Sequence, residues 1–312
     1  MYALRTLRTP ALRASLVRTY ASTASAATTP IVGKPQTLEN NLQTESNKLS
    51  KTLQKFWENV ELKTNENNDF ELQLDAKTVR TPLGNDLIVP SNRPLLANLL
   101  YHEWKSLSNS NIKTHSLPFT SLISRVIDLE TATKNANEED LLKVGKKSDI
   151  IDQLLRYLDT DTLLIFSPKA EYEGGLRKAQ EELYRPVIAQ IEELLGSKLT
   201  FLDSDVDGLR GNRQPLETSL AAREFLHTLS YYDLVAVEKV TLTAKSLICG
   251  LLTVQNKSLK TSDIELEEIA KLATLEIIYQ TERWGEVEDT HDVDYQDIRR
   301  HINSCGILAF QE

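Results

Sequence analysis

The spacing of apolar side chains changes once along this chain, and that change restricts its architecture more than any other feature. Between Phe56 and Val89, apolar and polar residues alternate in FWENVEL at 56–62, FELQLD at 70–75, KTVRT at 77–81 and LIV at 87–89. The polar run TNENND and the breaker Pro82-Leu83-Gly84-Asn85 separate these stretches. A period of two marks strands with one buried face, so a small antiparallel meander is expected. Pro90-Ser91-Asn92 closes it and offers Ser91 or Asn92 as an N-cap, with Pro94 near the first turn of a helix. Along that helix Leu95, Leu96, Leu99, Leu100 and Trp104 recur at three and four residue spacing. A sheet with one apolar face needs such a cover.

After Pro118 the helical period persists to the end of the chain. It predicts helices over roughly 119–133, 148–158, 171–195, 216–229, 231–254, 262–284 and 290–302, with short extended pieces at Leu163–Phe166 and Lys198–Leu202. The polar segment 134–147, KNANEEDLLKVGKK, reads as an exposed loop. No repeat of 20–50 residues is visible, which argues against a solenoid. The expected fold is α+β. A small mixed α/β domain over 53–117, an antiparallel sheet plus a helix, precedes an all-α orthogonal bundle over 118–312.

Ahead of this body, residues 1–30 contain Arg5, Arg8, Arg13 and Arg18 among Leu, Ala, Ser and Thr, and Glu39 is the first acid. That composition predicts a mitochondrial transit peptide, because interspersed arginines break the continuous apolar stretch a secretory signal needs. Residues 31–52 are rich in Ser, Thr, Asn and Gln and read as a flexible linker. Setting the four arginines aside deepens the formal charge from −9 to −13. A body that acidic repels phosphate backbones and anionic lipid, so nucleic acid and membrane surfaces are poor partners. Leu234–Val254 is the most apolar stretch, and it contains Glu238, Lys239 and Lys245. It therefore reads as a buried helix and predicts no membrane insertion.

Motifs for catalysis are scarce. With 11 glycines and no GxGxxG or GxxxxGK[ST], the chain lacks a phosphate cradle, and no bound nucleotide or other cofactor is expected. The histidines at 102, 115, 227, 291 and 301 show no metal-ligand spacing. Cys249 and Cys305 form no CxxC pair. Asp203-Ser204-Asp205-Val206-Asp207-Gly208 imitates the start of a calcium loop, but its twelfth position is Gln214 where a glutamate is required. Acids are densest at Glu282, Glu286, Glu288, Asp289, Asp292, Asp294 and Asp297, either a solvated face or a docking surface for a basic partner. On the helix 262–284, Leu266, Ile269, Ala270, Ala273, Ile277 and Trp284 form one stripe. Glu276 lies on its shoulder beside Leu272 and Gln280.

In order and spacing, FWENVEL, LDAKTVRTPLGNDLIVP at 74–90, HEWK at 102–105, YLDTDTLLIF at 157–166, ELYRPV at 182–187 and LEIIYQTERWGEVEDTHD at 275–292 resemble the mitochondrial chaperone family that binds free F1 alpha subunit during ATP synthase assembly, fungal members above all. The resemblance implies a two-domain fold and a matrix holdase, expected to be monomeric, that shields alpha until it meets beta. It also implies that Glu276 matters for activity and that Trp104 is a packing residue. With Gln280, Glu286, Glu288 and Asp289, Glu276 is the expected partner-binding set. Trp284-Gly285 is expected to end the helix with a left-handed C-cap and a buried indole. A permanent structural subunit of a mitochondrial complex is the stronger rival. An enzyme using the acidic cluster would have no supporting motif.

Overall fold

The computed structural model describes residues 55, 57–107, 112, 116–208, 211–287 and 290–312, which belong to one compact unit. The expected transit peptide and linker lie outside the described residues, as does Phe56.

Four antiparallel strands form the sheet: β1 (Val60–Thr64), β2 (Phe70–Leu74), β3 (Lys77–Thr78) and β4 (Ile88–Val89). β2 is central, with β1 on one side and β3 and β4 on the other, and its register pairs Leu72 with Leu62 and Phe70 with Val89. Leu72 and Leu74 are buried while Gln73 between them is not, as the alternation requires. The first strand starts at Val60, later than the pattern suggested. The backbone N–H groups of Glu58 and Asn59 donate instead to the Asp75 carboxylate, at 3.1 and 2.8 Å. Trp57, just ahead of them, turns inward against Trp104 with ring centroids 5.1 Å apart.

Helix α1 (Pro94–Lys105) lies over this sheet through Leu96, Leu100 and Trp104. Its N-cap is Arg93 and not Ser91 or Asn92, and no side chain caps it. The Arg93 guanidinium is used elsewhere: it donates to the backbone oxygens of Leu308 and Phe310, the latter at 2.8 Å, and stacks 4.1 Å over the Tyr232 ring. Nearby, the Glu312 N–H donates to the Asn92 carbonyl at 3.1 Å, so the last residues of the chain close against the start of α1. At the other end of α1, Glu103 accepts from the N–H groups of Phe119 and Thr120, and Trp104 Nε1 donates to Thr120 Oγ1 at 2.8 Å. A carboxylate on the free donors of a helix N-terminus is favourable, and this one fixes where the next helix begins.

The remaining helices are α2 (Pro118–Asn135), α3 (Glu138–Val144), α4 (Lys147–Asp159), α5 (Gly175–Leu195), α6 (Leu216–Thr228), α7 (Tyr231–Ala244), α8 (Leu247–Lys257), α9 (Leu266–Trp284) and α10 (His291–Ala309). A two-stranded parallel sheet joins β5 (Ile165–Phe166) to β6 (Leu202–Asp203). One apolar cluster runs from the sheet layer through these helices. The architecture is thus an antiparallel sheet with helices followed by a mostly helical part, as the change of period predicts.

Three local expectations are corrected. The segment 134–147 contains a helix, α3, because Asn137 caps it by accepting from the Glu139 N–H at 3.1 Å. Glu138, Glu139 and Asp140 suit its first turn, and Val144 is buried. The span 231–254 is two helices, broken where Lys245 turns left-handed at φ 54°. Ser246 then caps α8 through the Cys249 N–H at 3.1 Å, and the buried Asp161 accepts from Ile248 N at 3.0 Å. Gly250 lets the two helices close up, since a Cβ there would lie 3.0 Å from the Val237 carbonyl. Finally, α10 continues past residue 302 to Ala309, burying Ile302, Cys305 and Leu308.

Two ion pairs cross this framework. Arg125 on α2 meets the buried Glu238 on α7 with both nitrogens, at 3.0 and 3.2 Å, and donates to the Val144 carbonyl. Arg177 on α5 grips Asp203 on β6 at 2.6 and 3.1 Å and donates to the Ser167 carbonyl at 3.0 Å. The guanidinium holds the Asp203 carboxyl down, at about 2 against an ordinary 3.8. A depressed folded value gives stability that is complete above the unfolded value and is lost as pH falls through the folded one. The unfolding midpoint of the parent chain should therefore exceed that of Asp203→Asn above pH 4, and the gap should close toward pH 2. A gap unchanged over that range would mean that the pair is not ionic.

Candidate functional site

Helix α9 starts as an ordinary core helix and ends as a surface. The Glu268 carboxylate accepts the Glu265 N–H at 3.0 Å and fixes the first turn, and Leu266, Ile269, Ala270, Leu272 and Leu275 are buried. Beyond Leu275 no residue of the helix is fully buried. Glu276 is exposed, accepting at 3.0 Å from Nε2 of Gln280 one turn later, so these two expected partner-binding residues form one polar unit.

Trp284 is not buried. Its indole is 70% exposed, contrary to the expectation from the helical stripe. Gly285 does end the helix, its N–H donating to the Thr281 carbonyl at 2.9 Å, but with φ 86° and ψ 158° it is extended in a region open to glycine and not in the left-handed helical cap geometry. Glu286 is exposed beside it, with Val287 at 56% and Val293 at 54%. Glu288 and Asp289 lie outside the described residues. Further along, Asp297 bridges Arg300 at 2.6 Å, while Asp292 and Asp294 face solvent. Trp104 is 4% exposed in the sheet layer, as a packing residue should be.

The structure adds residues that sequence reasoning missed. The turn ahead of α5 places the Tyr172 ring edge-on to Tyr279 at 5.9 Å and to Trp284 at 5.5 Å. Tyr172 and Glu173 both adopt positive φ, 49° and 57°, a conformation that disfavours side chains with a Cβ. Gly175 gives Tyr279 room, since a Cβ there would meet its ring at 3.1 Å. Arg283 lies over two of the rings, 5.6 Å from Tyr172 and 5.8 Å from Trp284. The Tyr172 hydroxyl is pushed up by burial and then by the charges of Glu276 and Glu171, with Arg283 opposing them, so these groups share one electrostatic neighbourhood. Tyr279 and Arg283 follow Glu276 and Gln280 along α9, but nothing in the sequence links them to Tyr172.

Chemically the face offers recognition: a projecting indole, with the exposed Val287 and carboxylates close to it in sequence. Exposed apolar surface rimmed by charge is the usual form of a protein contact. The perturbed groups elsewhere serve the framework. Burial raises the carboxyls of Glu103 to about 7 and Asp161 to about 6, and each is already engaged by helix N–H groups. It also pushes both thiols up to about 12, so neither Cys249 nor Cys305 supplies a thiolate near neutrality. Among the described residues no cluster of three metal-ligating side chains occurs, and no helix is long and apolar enough to cross a membrane.

Comparisons with known proteins agree with one another. A family model described as ATP12 chaperone protein matches residues 54–192. The mitochondrial protein ATP12 of Saccharomyces cerevisiae is 50% identical over 299 residues, 90% of this chain and 91% of its own length. Mitochondrial atp12 of Schizosaccharomyces pombe is 36% identical over 258 residues, 83% of this chain and 82% of its own. In structure, Atp12 of Paracoccus denitrificans is similar with a TM-score of 0.61, covering 82% of this chain and 98% of its own. A candidate chaperone of Agrobacterium tumefaciens reaches 0.65 over 87% and 98%. Both are 21% identical to it, a likeness of fold.

Proposed function

Because this chain belongs to the ATP12 chaperone family, we propose that it is a non-enzymatic assembly chaperone of the mitochondrial matrix, which binds the unassembled alpha subunit of the F1 sector of ATP synthase and keeps it from aggregating until beta arrives. The reading is carried by the 50% identity to the yeast protein over nearly the whole length of both chains. The arginine-rich leader is consistent with the compartment. The outer half of α9 and the residues just after it, with Glu276, Gln280, Trp284 and Glu286, have the chemistry a holdase needs. They offer an apolar anchor within a polar rim, strong enough to cover a client yet replaceable by a better-fitting subunit. No cofactor enters this mechanism. On this reading the chain divides into a sheet domain up to residue 117 and a helical domain from 118.

The test is retention of newly imported subunits on the purified chain, with alpha and beta offered separately. Alpha alone should be held, and in size-exclusion of mitochondrial extract the chain should run apart from mature ATP synthase. Co-migration with the mature complex would favour the rival reading, a resident subunit.

A further inference from the structure

The Tyr172 and Trp284 rings meet at an angle of 67°, and the chain's own Arg283 lies loosely over both. The guanidinium carbon stands 5.6 and 5.8 Å from the two ring centroids, near the limit of about 6 Å at which a cation is still held by an aromatic face. Arg283 is itself exposed, so water competes for it throughout. The charges of Glu171 and Glu276 act on the Tyr172 ring, and Glu173, Glu282 and Glu286 lie within two residues of Tyr172 or Trp284 in sequence. None of these five carboxylates forms an ion pair with another described residue. The charge of the face is therefore incompletely answered by ion pairs among the described residues.

We propose that this angle is a seat for an arginine side chain of the partner polypeptide, flanked by apolar residues that cover Val287, and that Arg283 is an internal stand-in which the partner's arginine displaces. This rests on the reading of the outer half of α9 as the client-binding face. Arginine fits better than lysine, because a planar guanidinium can stack on one ring while donating sideways to carboxylates. The stand-in serves the free protein by keeping the exposed indole partly covered and the local charge partly neutral. It also makes binding an exchange of one guanidinium for another, which favours release when a better interface competes.

The experiment uses the full mature chain and two probes, acetyl-Leu-Arg-Leu-amide and its citrulline isostere, followed by the indole N–H resonances of the three tryptophans. The Trp284 signal is assigned by its absence in Trp284→Leu, a variant that keeps apolar bulk but no aromatic face. The arginine peptide should move that signal and the citrulline peptide should not, and Arg283→Gln should tighten arginine-peptide binding by roughly fivefold. Equal response to both peptides, or weaker binding by Arg283→Gln, would overturn the seat. A second arm measures capture of alpha, which should fall about tenfold in Trp284→Leu. Equal capture by parent and variant would show that the client does not use this seat and would sink the inference. Failure of the parent chain to hold alpha, with the peptide result intact, would instead refute the client assignment and leave the seat standing.

Discussion

Replacing Arg125 by methionine is expected to lower the free energy of unfolding by about 3–5 kcal/mol, the cost of leaving one member of a buried ion pair without its partner. Glu238 is 1% exposed on α7, and Arg125 supplies both of its hydrogen bonds together with one to the Val144 carbonyl at the end of α3. Deleting the cation strands a carboxylate in the interior and removes a donor from the last turn of α3. The double variant Arg125→Met with Glu238→Leu should recover most of the loss, since two well-packed apolar side chains are often as stable as a buried pair. Urea unfolding of the parent, both single variants and the double variant measures this directly. A single-variant loss under about 1 kcal/mol would place the pair in the energetic class of surface salt bridges and contradict its burial.

On the proposed function, charge reversal at Glu276 is expected to reduce capture of the alpha subunit by tenfold or more, because a lysine set against a basic client contact would slow encounter and cost several kcal/mol once docked. Glu276 is exposed and hydrogen-bonded only to Gln280 among the described residues, so Glu276→Lys should leave the far-ultraviolet dichroism and thermal midpoint nearly unchanged. Capture at parental level by a folded Glu276→Lys chain would reduce this glutamate to solvated filler. The two variants read different properties: one breaks the framework, the other leaves it intact and alters only the outer face.

The sheet layer was legible in sequence because strands and covering helix each bury one face, so Leu72, Leu74, Leu96 and Leu100 announce their roles by spacing alone. The break between α7 and α8 was not. Residues 231–254 are predominantly apolar with no proline, and the left-handed turn falls on Lys245, where only the capping serine after it hints at a new helix. The site was half legible. Periodicity placed Glu276 and Gln280 on one side of α9, but the same rule buried Trp284, because it assumes that a helix stays against the core along its whole length. Beyond Leu275 this helix is only partly buried, and by Trp284 it is exposed. The Tyr172 ring that meets the indole comes from a turn ahead of α5, and no local pattern can reveal a neighbour supplied by tertiary structure.

Arg93 ties the first layer of the molecule to residues far along the chain. Its guanidinium is satisfied by the carbonyls of Leu308 and Phe310, and the chain's final N–H by Asn92. The Arg93 bonds join residues 215 and 217 positions apart, so a strand-and-helix unit that looks self-sufficient in sequence is closed along one border by residues 308–312. Loosening that segment would strip a buried cation of its acceptors.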